Sequence, residues 1–465
     1  MSDNEFEISW KPVIRKAEGP AYLAIANALE ADIHAGTLMS GTRLPPQRAL
    51  ARFLALDFTT ISRAYNEASK RGLVEGKVGQ GTYVRGIEAK SSAPVTPGIV
   101  DMAMNQPPCF DDATLARRMK NGMIAAQNDK PHNFLFTYQI AGGTEPDREA
   151  GVHWLSSRIS LLTRDRLIVC PGAQSALLAL VNFLSSPGEV ICAEELTYPG
   201  FRSLATQLGI ILAPIAMDEA GILPASFEEI CVKRKPAALY LTPTLHNPTT
   251  ITLPLERRQA IANIARRYHV PIIEDDAYGA LPKQSPKPLA ELAPELTYHV
   301  SSLSKCLSPA LRIAYLVAPD IRIANRIVGT LRATACMASP LTTAIATNWI
   351  EDGTADAVLN AIRQESEIRQ RIAKDYLPKE LVTTDSEGFH AWLKLPVPWT
   401  RSAFIQQLRN AGVSVVGSDA FSDNHQPEAV RLGFGAPHNH EDLKRSLQII
   451  TDFLKEEPAL MNMIV

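Results

Sequence analysis

The sequence predicts two architectures in one chain: a small, mostly helical N-terminal domain, then a large α/β domain that ends in a smaller α+β subdomain. Three observations predict it. Apolar residues near the N-terminus recur at helical spacing. The stretch Ala89-Lys-Ser-Ser-Ala-Pro-Val-Thr-Pro-Gly98, rich in Ser, Pro and Gly, then breaks all periodicity and reads as an extended connector. Beyond it, short apolar runs alternate with amphipathic segments, the pattern of a largely parallel sheet with helices on both faces. The resulting boundaries are 19–87 for the first domain, 88–100 for the linker and 101–460 for the large domain.

In the first domain, Tyr22, Ile25, Ala26, Leu29 and Ile33 share a helical face, and Gly36 is a natural stop. A second helix starts after Pro45-Pro46 and runs to about Leu54. A third runs from about Thr59 to Arg71, with Ile61, Ala64, Tyr65 and Ala68 on its apolar face, and Gly72 ends it. Leu73-Val74 and Thr82-Tyr83-Val84 then flank the turn Gly79-Gln80-Gly81, which reads as a hairpin. Two short helices in tight connection followed by a Gly-tipped hairpin make a winged helix-turn-helix.

The large domain has expected strands at Arg166–Cys170, Glu189–Ala193, Ala237–Leu241, Pro271–Glu274, Tyr298–Ser301 and Ala314–Ala318. The smaller α+β part starts at about Tyr376. In sheets of this kind ligands sit beyond the carboxyl ends of the strands, so the residues after Cys170, Leu241, Glu274 and Ser301 carry the most information.

Composition bounds the function classes. A length of 465 residues exceeds one compact core, and 46% hydrophobic with 21% charged residues argues against disorder. The formal charge of −2 gives no whole-chain argument for nucleic acid, so such a signal must be local. Cys109, Cys170, Cys192, Cys231, Cys306 and Cys336 form no Cys-x-x-Cys pair and no cluster with histidines. Reduced thiols and no metal site are expected. No apolar run approaches the roughly 20 residues that span a bilayer. The acidic stretch Met1–Glu7 lacks a signal-peptide core, so a cytoplasmic protein is expected.

Four expected strand ends carry residues suited to pyridoxal 5′-phosphate. Ser302-Leu-Ser304-Lys305 follows one of them, and an amine there can condense with an aldehyde if its pKa is lowered. Arg312 follows, a guanidinium suited to a phosphate dianion, with the hydroxyls of Ser302 and Ser304 as further donors. Asp275, in Glu274-Asp275-Asp276-Ala277-Tyr278, can keep a pyridine nitrogen protonated, which makes the ring an electron sink. Tyr278 and the amide of Asn247, in His246-Asn247-Pro248-Thr249, can donate to the ring's phenolate oxygen. Pro171-Gly172-Ala173-Gln174 leads into an apolar helix over Ser175–Leu184, whose first N–H groups form an anion site. Tyr198, in Leu-Thr-Tyr198-Pro-Gly, can stack on the ring. Any one of these residues alone is more often a solvated group, a cap or a turn; their order along the chain is what carries the reading.

These motifs resemble the fold-type I aminotransferases, especially the branch with kynurenine and aminoadipate aminotransferases. The matches are Gly-Ala-Gln, Thr-Tyr-Pro-Gly, His-Asn-Pro-Thr, Asp-Asp-Ala-Tyr, Ser-Leu-Ser-Lys and the following Arg, in family order from about Asp101 onward. The resemblance implies that Arg431, in Val-Arg431-Leu-Gly-Phe, holds a substrate α-carboxylate. It also implies a dimer in which Tyr138 reaches the phosphate of the partner subunit.

The local signal for nucleic acid lies in the first domain. Between Arg43 and Arg85 eight Lys/Arg face three acids, a balance of +5 that leaves −7 for the rest of the chain. A basic segment on an acidic protein is a footprint for phosphate backbones. Thr59, Thr60, Ser62, Arg63 and Asn66 form a polar face on the third helix that can meet base edges and phosphates. The segment resembles the GntR-type DNA-binding domain in Gly41-Thr-Arg43-Leu-Pro45, Gln47-Arg48-Ala-Leu, Thr60-Ile-Ser-Arg-Ala-Tyr65, Arg71-Gly-Leu-Val and Gly79-Gln-Gly81-Thr-Tyr-Val84. By that resemblance Arg43, Arg48 and Gly81 join the helix face at the DNA. This chain has Asp57-Phe58 where the family commonly has Ser-Arg at the start of the recognition helix, so sequence specificity does not carry over.

A GntR-type domain fused to an aminotransferase-like domain resembles the MocR subfamily of bacterial transcription regulators. The resemblance implies a homodimer in which pyridoxal phosphate, or an amino acid bound to it, changes binding to double-stranded DNA. The alternative is a working aminotransferase with a DNA-binding domain attached, in which Lys305 is the catalytic acid/base. A third reading makes the large domain a gauge of pyridoxal phosphate itself.

Overall fold

The computed structural model describes residues 10–12, 20–34, 37–38, 41–71, 73–77, 81–84, 98–128, 134, 136–424 and 426–456. The expected helix stops Gly36 and Gly72, the turn residues Gly79 and Gln80, and most of the connector lie outside the described residues. The chain divides into two units, Met1–Val95 and Thr96–Val465.

Among the described residues the smaller unit has three helices, α1 (Ala21–His34), α2 (Gln47–Leu54) and α3 (Phe58–Lys70), then the antiparallel pair β1 (Val74–Lys77) and β2 (Gly81–Val84). Helix α2 follows Pro46, whose fixed φ suits the residue before a helix. Helix α3 is capped by Asp57, which accepts from Thr60 N at 2.9 Å. The faces expected to be apolar are the ones buried: Ile25 and Leu29 on α1, Leu50 on α2, and Ile61, Ala64, Tyr65 and Ala68 on α3. Trimming fully buried Ile61 to Ala costs about 3 kcal/mol, a large share of the stability of so small a core. The residues before α2 extend the wing: Leu44 N donates to Thr82 O at 2.8 Å and Val84 N to Thr42 O at 2.9 Å.

The larger unit is built on a seven-stranded sheet. Its strands are β4 (Leu167–Cys170), β5 (Val190–Glu194), β6 (Ile211–Ile215), β9 (Ala238–Leu241), β10 (Ile272–Asp275), β11 (Thr297–Ser302) and β12 (Ala314–Val317), and a short hairpin, β7 (Met217–Asp218) with β8 (Gly221–Ile222), precedes β9. The order is β4-β12-β11-β10-β9-β5-β6. Only β12 runs against its neighbours; the pairs from β11 to β6 are parallel. Central strands β9 and β10 are buried at every residue, as a sheet covered on both faces requires. Strand β6 was not expected from the sequence. It is the sheet edge, it contains Pro214, and half of it faces solvent.

The final part is a four-stranded antiparallel sheet of β13 (Val382–Thr384), β14 (His390–Lys394), β16 (Val416–Gly417) and β17 (Ala429–Gly433), with the helices Arg401–Asn410 and His440–Lys455 against it. It also takes in the start of the unit: β3 (Val100–Asp101) pairs in parallel with β15 (Val413–Ser414). Residues 102–106 then cross the end of β17 at main-chain distance. A Cβ on Gly433 would lie 2.7 Å from Met104 O, so the crossing needs glycine there.

Candidate functional site

Five strand ends of the large sheet converge on a cavity of about 370 Å³. It brings together Ala173, Tyr198, Asn247, Asp275, Tyr278, Ser302, Ser304, Lys305 and Arg431 of the residues singled out in the sequence. Gln174 and Arg312 stand beside it, and Tyr138 lies apart, 87% exposed between the equally open Phe136 and Ile140.

Strand alternation explains the carboxylates. On β10, Glu274 faces one side of the sheet, where it accepts from the N–H groups of Leu289 (2.8 Å) and Ala290 (3.0 Å) and contacts His299 Nδ1 at 3.0 Å. Asp275 points the other way, toward the cavity. Tyr240 donates to its Oδ2 at 2.9 Å, while Oδ1 is buried without a partner. Burial pushes the Asp275 carboxyl up to about 6, against the lowering by the Tyr240 hydrogen bond. An unpaired buried oxygen costs about 1–3 kcal/mol, and a cationic N–H placed against it restores the charged form.

Lys305 follows β11 in a short helical turn capped by Ser302. Burial, then the neighbouring Arg431 charge, brings its amine down to about 8. A good fraction is therefore a neutral nucleophile near pH 8. The amine donates to the main-chain carbonyl of Asn105. The hydroxyls of Ser302 and Ser304 are 2.8 Å apart at the same turn.

The anion cradle is formed at Gly172, the N-cap of α6 (Ala173–Leu184); α4 (Ala113–Asn128) and α5 (Glu145–Leu155) precede it. Gly172 has φ +82°, and a Cβ there would meet the Arg312 guanidinium at 3.1 Å. Arg312 thus lies against the helix start, where unpaired N–H groups and the helix dipole favour an anion.

Arg431, on β17, is 6% exposed. It donates to Asn247 Oδ1 at 2.8 Å and to the carbonyl of Ala103, and its Nε is buried without a partner. Its guanidinium carbon is 5.4 Å from the centroid of the Phe421 ring. Tyr278 is buried and accepts from Asn105 Nδ2 at 2.8 Å.

Sequence reasoning missed Asn105, Tyr240 and Phe421. Tyr240 shares a strand with the expected site and faces the cavity side, a signal available from alternation alone. Asn105 follows the connector in Met104-Asn105-Gln106 and reaches the site only through the pairing of β3 with β15, which nothing local signals.

The geometry fits pyridoxal phosphate: an anion cradle at Arg312, an unpaired carboxylate oxygen for a protonated ring nitrogen, a lowered lysine, and a guanidinium with a donor to spare.

In the smaller unit, Arg43, Arg48, Thr59, Arg63 and Gly81 are exposed, while Thr60 and Ser62 are half-buried. A cleft of about 350 Å³ runs between wing and helices, lined by Arg43, Gln47, Arg48, Phe58 and Gly81 among others. Gly81 has φ +118°, and a Cβ on it would meet Arg43 Nε at 3.0 Å. The hydroxyls of Thr59 and Thr60 turn back onto Asp57. Arg71, one of the eight basic residues, is paired internally with Glu30 at 2.9 Å and Glu67 at 3.0 Å. Its charge stabilises the unit and adds little to an outward field.

The fold and site define a pyridoxal-phosphate-dependent transferase domain preceded by a DNA-binding domain. Residues 98–450 match the family aminotransferase class I and II, and residues 21–84 match the gntR family of bacterial regulatory proteins. The HTH-type transcriptional regulator YdeF of Bacillus subtilis is 32% identical over 98% of this chain and 100% of its own. The vitamin B6 salvage pathway transcriptional repressor PtsJ of Salmonella typhimurium is 25% identical over 91% of this chain and 96% of its own. Among solved structures, the α-aminoadipate aminotransferase LysN of Thermus thermophilus superposes with a TM-score of 0.70 at 21% identity, covering 79% of this chain and 94% of that one. The chain belongs to the aminotransferase class I and II family in its larger unit and, with its gntR domain, to the MocR subfamily of transcription regulators. It is a DNA-binding regulator with pyridoxal phosphate as its cofactor. Among the described residues no helix is long and apolar enough to cross a membrane, and no cluster of His, Cys, Asp and Glu is placed to hold a metal ion.

Proposed function

We propose that this regulator binds its operator as a cytoplasmic homodimer whose DNA affinity is set at Lys305 and Arg431 by an amino acid or amine, with pyridoxal phosphate in place. One observation carries the reading. Arg431, the guanidinium that a bound amino acid must engage, and Lys305, the amine whose place on the cofactor it must take, both donate to main-chain carbonyls of one segment, those of Ala103 and Asn105. That segment continues, toward the N-terminus, into the residues that join the two units.

The cofactor supplies, when bound, an aldehyde for an amine and an electron-withdrawing ring. The chain does the rest. Arg312, Ser302, Ser304 and the N–H groups at Ala173 and Gln174 would hold the phosphate. Asp275 Oδ1 would accept from a protonated ring nitrogen, Tyr198 would cover the ring, and Asn247 and Tyr278 would donate to the ring oxygen. Arg431 takes the α-carboxylate, and the incoming carboxylate competes with Ala103 O. With the cofactor bound, the Lys305 amine would be occupied and Asn105 O would lose its donor; an amino acid that takes the amine's place would free Lys305 to donate again. The segment would thus have different partners with and without the amino acid, which is coupling by differential affinity for two states.

Exposed Phe136, Tyr138 and Ile140, at 89%, 87% and 71%, favour a partner subunit over this stretch. Tyr138 would there reach the partner's phosphate cradle. The name of the relative PtsJ, a repressor of vitamin B6 salvage, supports pyridoxal phosphate as a second signal.

The test is the operator affinity of the full chain without cofactor, with it, and with it plus a panel of amino acids, with the visible spectrum recorded in parallel. We expect affinity to change with the same ligand that changes the spectrum. An affinity indifferent to both overturns the proposal, and sustained release of keto acid marks catalysis in place of sensing.

A further inference from the structure

We propose that Phe58 reads a thymine methyl group, so that the start of the recognition helix selects bases by apolar contact and not by hydrogen bonds to guanine. The inference deepens the DNA-binding function and rests on it.

Residues at the start of a helix-turn-helix recognition helix are the ones that meet base edges in the major groove. A reader of guanine there needs an open donor, because guanine presents acceptors in the major groove. The Thr59 and Thr60 hydroxyls have spent theirs on Asp57, whose carboxylate has none to give. Asp57 Oδ1 accepts from Thr60 N at 2.9 Å and from the Thr59 hydroxyl, and Oδ2 accepts from the Thr60 hydroxyl at 2.6 Å. A hydroxyl has one proton to give, so neither threonine has a donor left for a base. These three bonds hold the Asp57 carboxyl well below the usual carboxylate range, the Thr59 hydroxyl contributing most.

Beside this closed cluster stands Phe58, the first residue of α3, 47% exposed. Its charged neighbour is Arg48, whose guanidinium carbon lies 6.0 Å from the ring centroid. Single exposed aromatics are common on protein surfaces and need no explanation. This one occupies the helix position from which bases are read, next to hydroxyls whose donors are already taken, in a cleft lined by Arg43 and Arg48. Of the groups that the four base pairs present in the major groove, the thymine C5 methyl is the apolar one, and Phe is among the side chains that contact it. Arg48, held near the ring, is placed for the adjoining phosphate.

The experiment uses the full-length holoprotein. Duplexes are selected from a random DNA pool, and each thymine in the selected site is then replaced singly by deoxyuridine, which lacks only the methyl. Burying one methyl is worth about fourfold in affinity, so we expect about that loss at one thymine of a bound half-site. Phe58→Ala is expected to bind thymine and uracil duplexes alike. Phe58→Leu is expected to keep part of the preference, and Arg63→Ala to weaken both duplexes while preserving their ratio. An unchanged visible spectrum in each variant shows an intact large unit. The proposal is overturned if no replacement matters, or if Phe58→Ala retains the wild-type preference. A pool that yields no duplex at all removes the DNA-binding function itself, and the role of Phe58 with it.

Discussion

In the larger unit Asp275 and Tyr278, at the end of β10, and Arg431, within β17, are buried, and Asp275 Oδ1 and Arg431 Nε have no protein partner. In the smaller unit Arg48, Thr59 and Arg63 stand in solvent on helix surfaces. The contrast decides how each function can be argued. A buried polar atom left unpaired costs about 1–3 kcal/mol, so the missing partner is itself information about the ligand. An exposed arginine is satisfied by water, so only charge, motif and position in the fold speak for DNA. The cofactor site is thus constrained atom by atom, the DNA face by its outline.

Removal of single groups breaks or sharpens this comparison. The largest effect belongs to Lys305→Ala. We expect complete loss of the visible absorbance of lysine-bound cofactor, with folding retained; absorbance that survives shows the wrong lysine was chosen. Next is pH. The amine lies near 8 because burial disfavours its charge, so it is protonated below that value and neutral above it. Capture of cofactor by the apoprotein should therefore slow about tenfold per unit as pH falls below 8 and level off above it, measured as the rate of absorbance rise. A rate that still climbs steeply past pH 10 would mean an ordinary lysine.

Arg431→Ala should weaken amino-acid binding by about thirtyfold, the result of removing a buried charged donor, with cofactor affinity nearly unchanged. Spectral titration reads both. Arg63→Ala should weaken operator binding several-fold and flatten its dependence on salt by about one phosphate contact, while the spectrum stays as it was. The smallest effect is that of Tyr240→Phe. Losing one hydrogen bond to Asp275 should lower cofactor affinity about fivefold and leave DNA binding of the cofactor-loaded protein unaffected.

The sequence revealed the fold where each strand announced itself. Central strands such as β9 are continuous apolar runs, legible because both faces are buried. Edge strand β6 was lost because Pro214 argues against a strand and its outer residues are solvated; only its place at the end of the sheet makes Pro tolerable. The site residues lying in short motifs, from Gly172 to Lys305, were legible as motifs and converge in the structure. Asn105 was not, because its contact joins residues 173 positions apart; alternation alone places Tyr240 on the cavity side, but its bond to Asp275 spans 35 positions and is not local. In the smaller unit the basic footprint was legible as a sum, but the sum overstated it: Arg71 is neutralised by Glu30, outside the counted window, and by Glu67. The hydroxyls of Thr59 and Thr60, read from the sequence as able to meet base edges and phosphates, give their donors to Asp57.

The segment through Ala103 and Asn105 accepts from Arg431 and Lys305 and continues in sequence toward the connector. The most direct measurement is the operator affinity of the cofactor-loaded wild type and of Lys305→Ala across one titration of the effective amino acid. We expect the wild-type affinity to shift in step with the spectrum and the Lys305→Ala affinity to stay flat. An equal shift in both proteins would contradict the claim that the signal passes through Lys305.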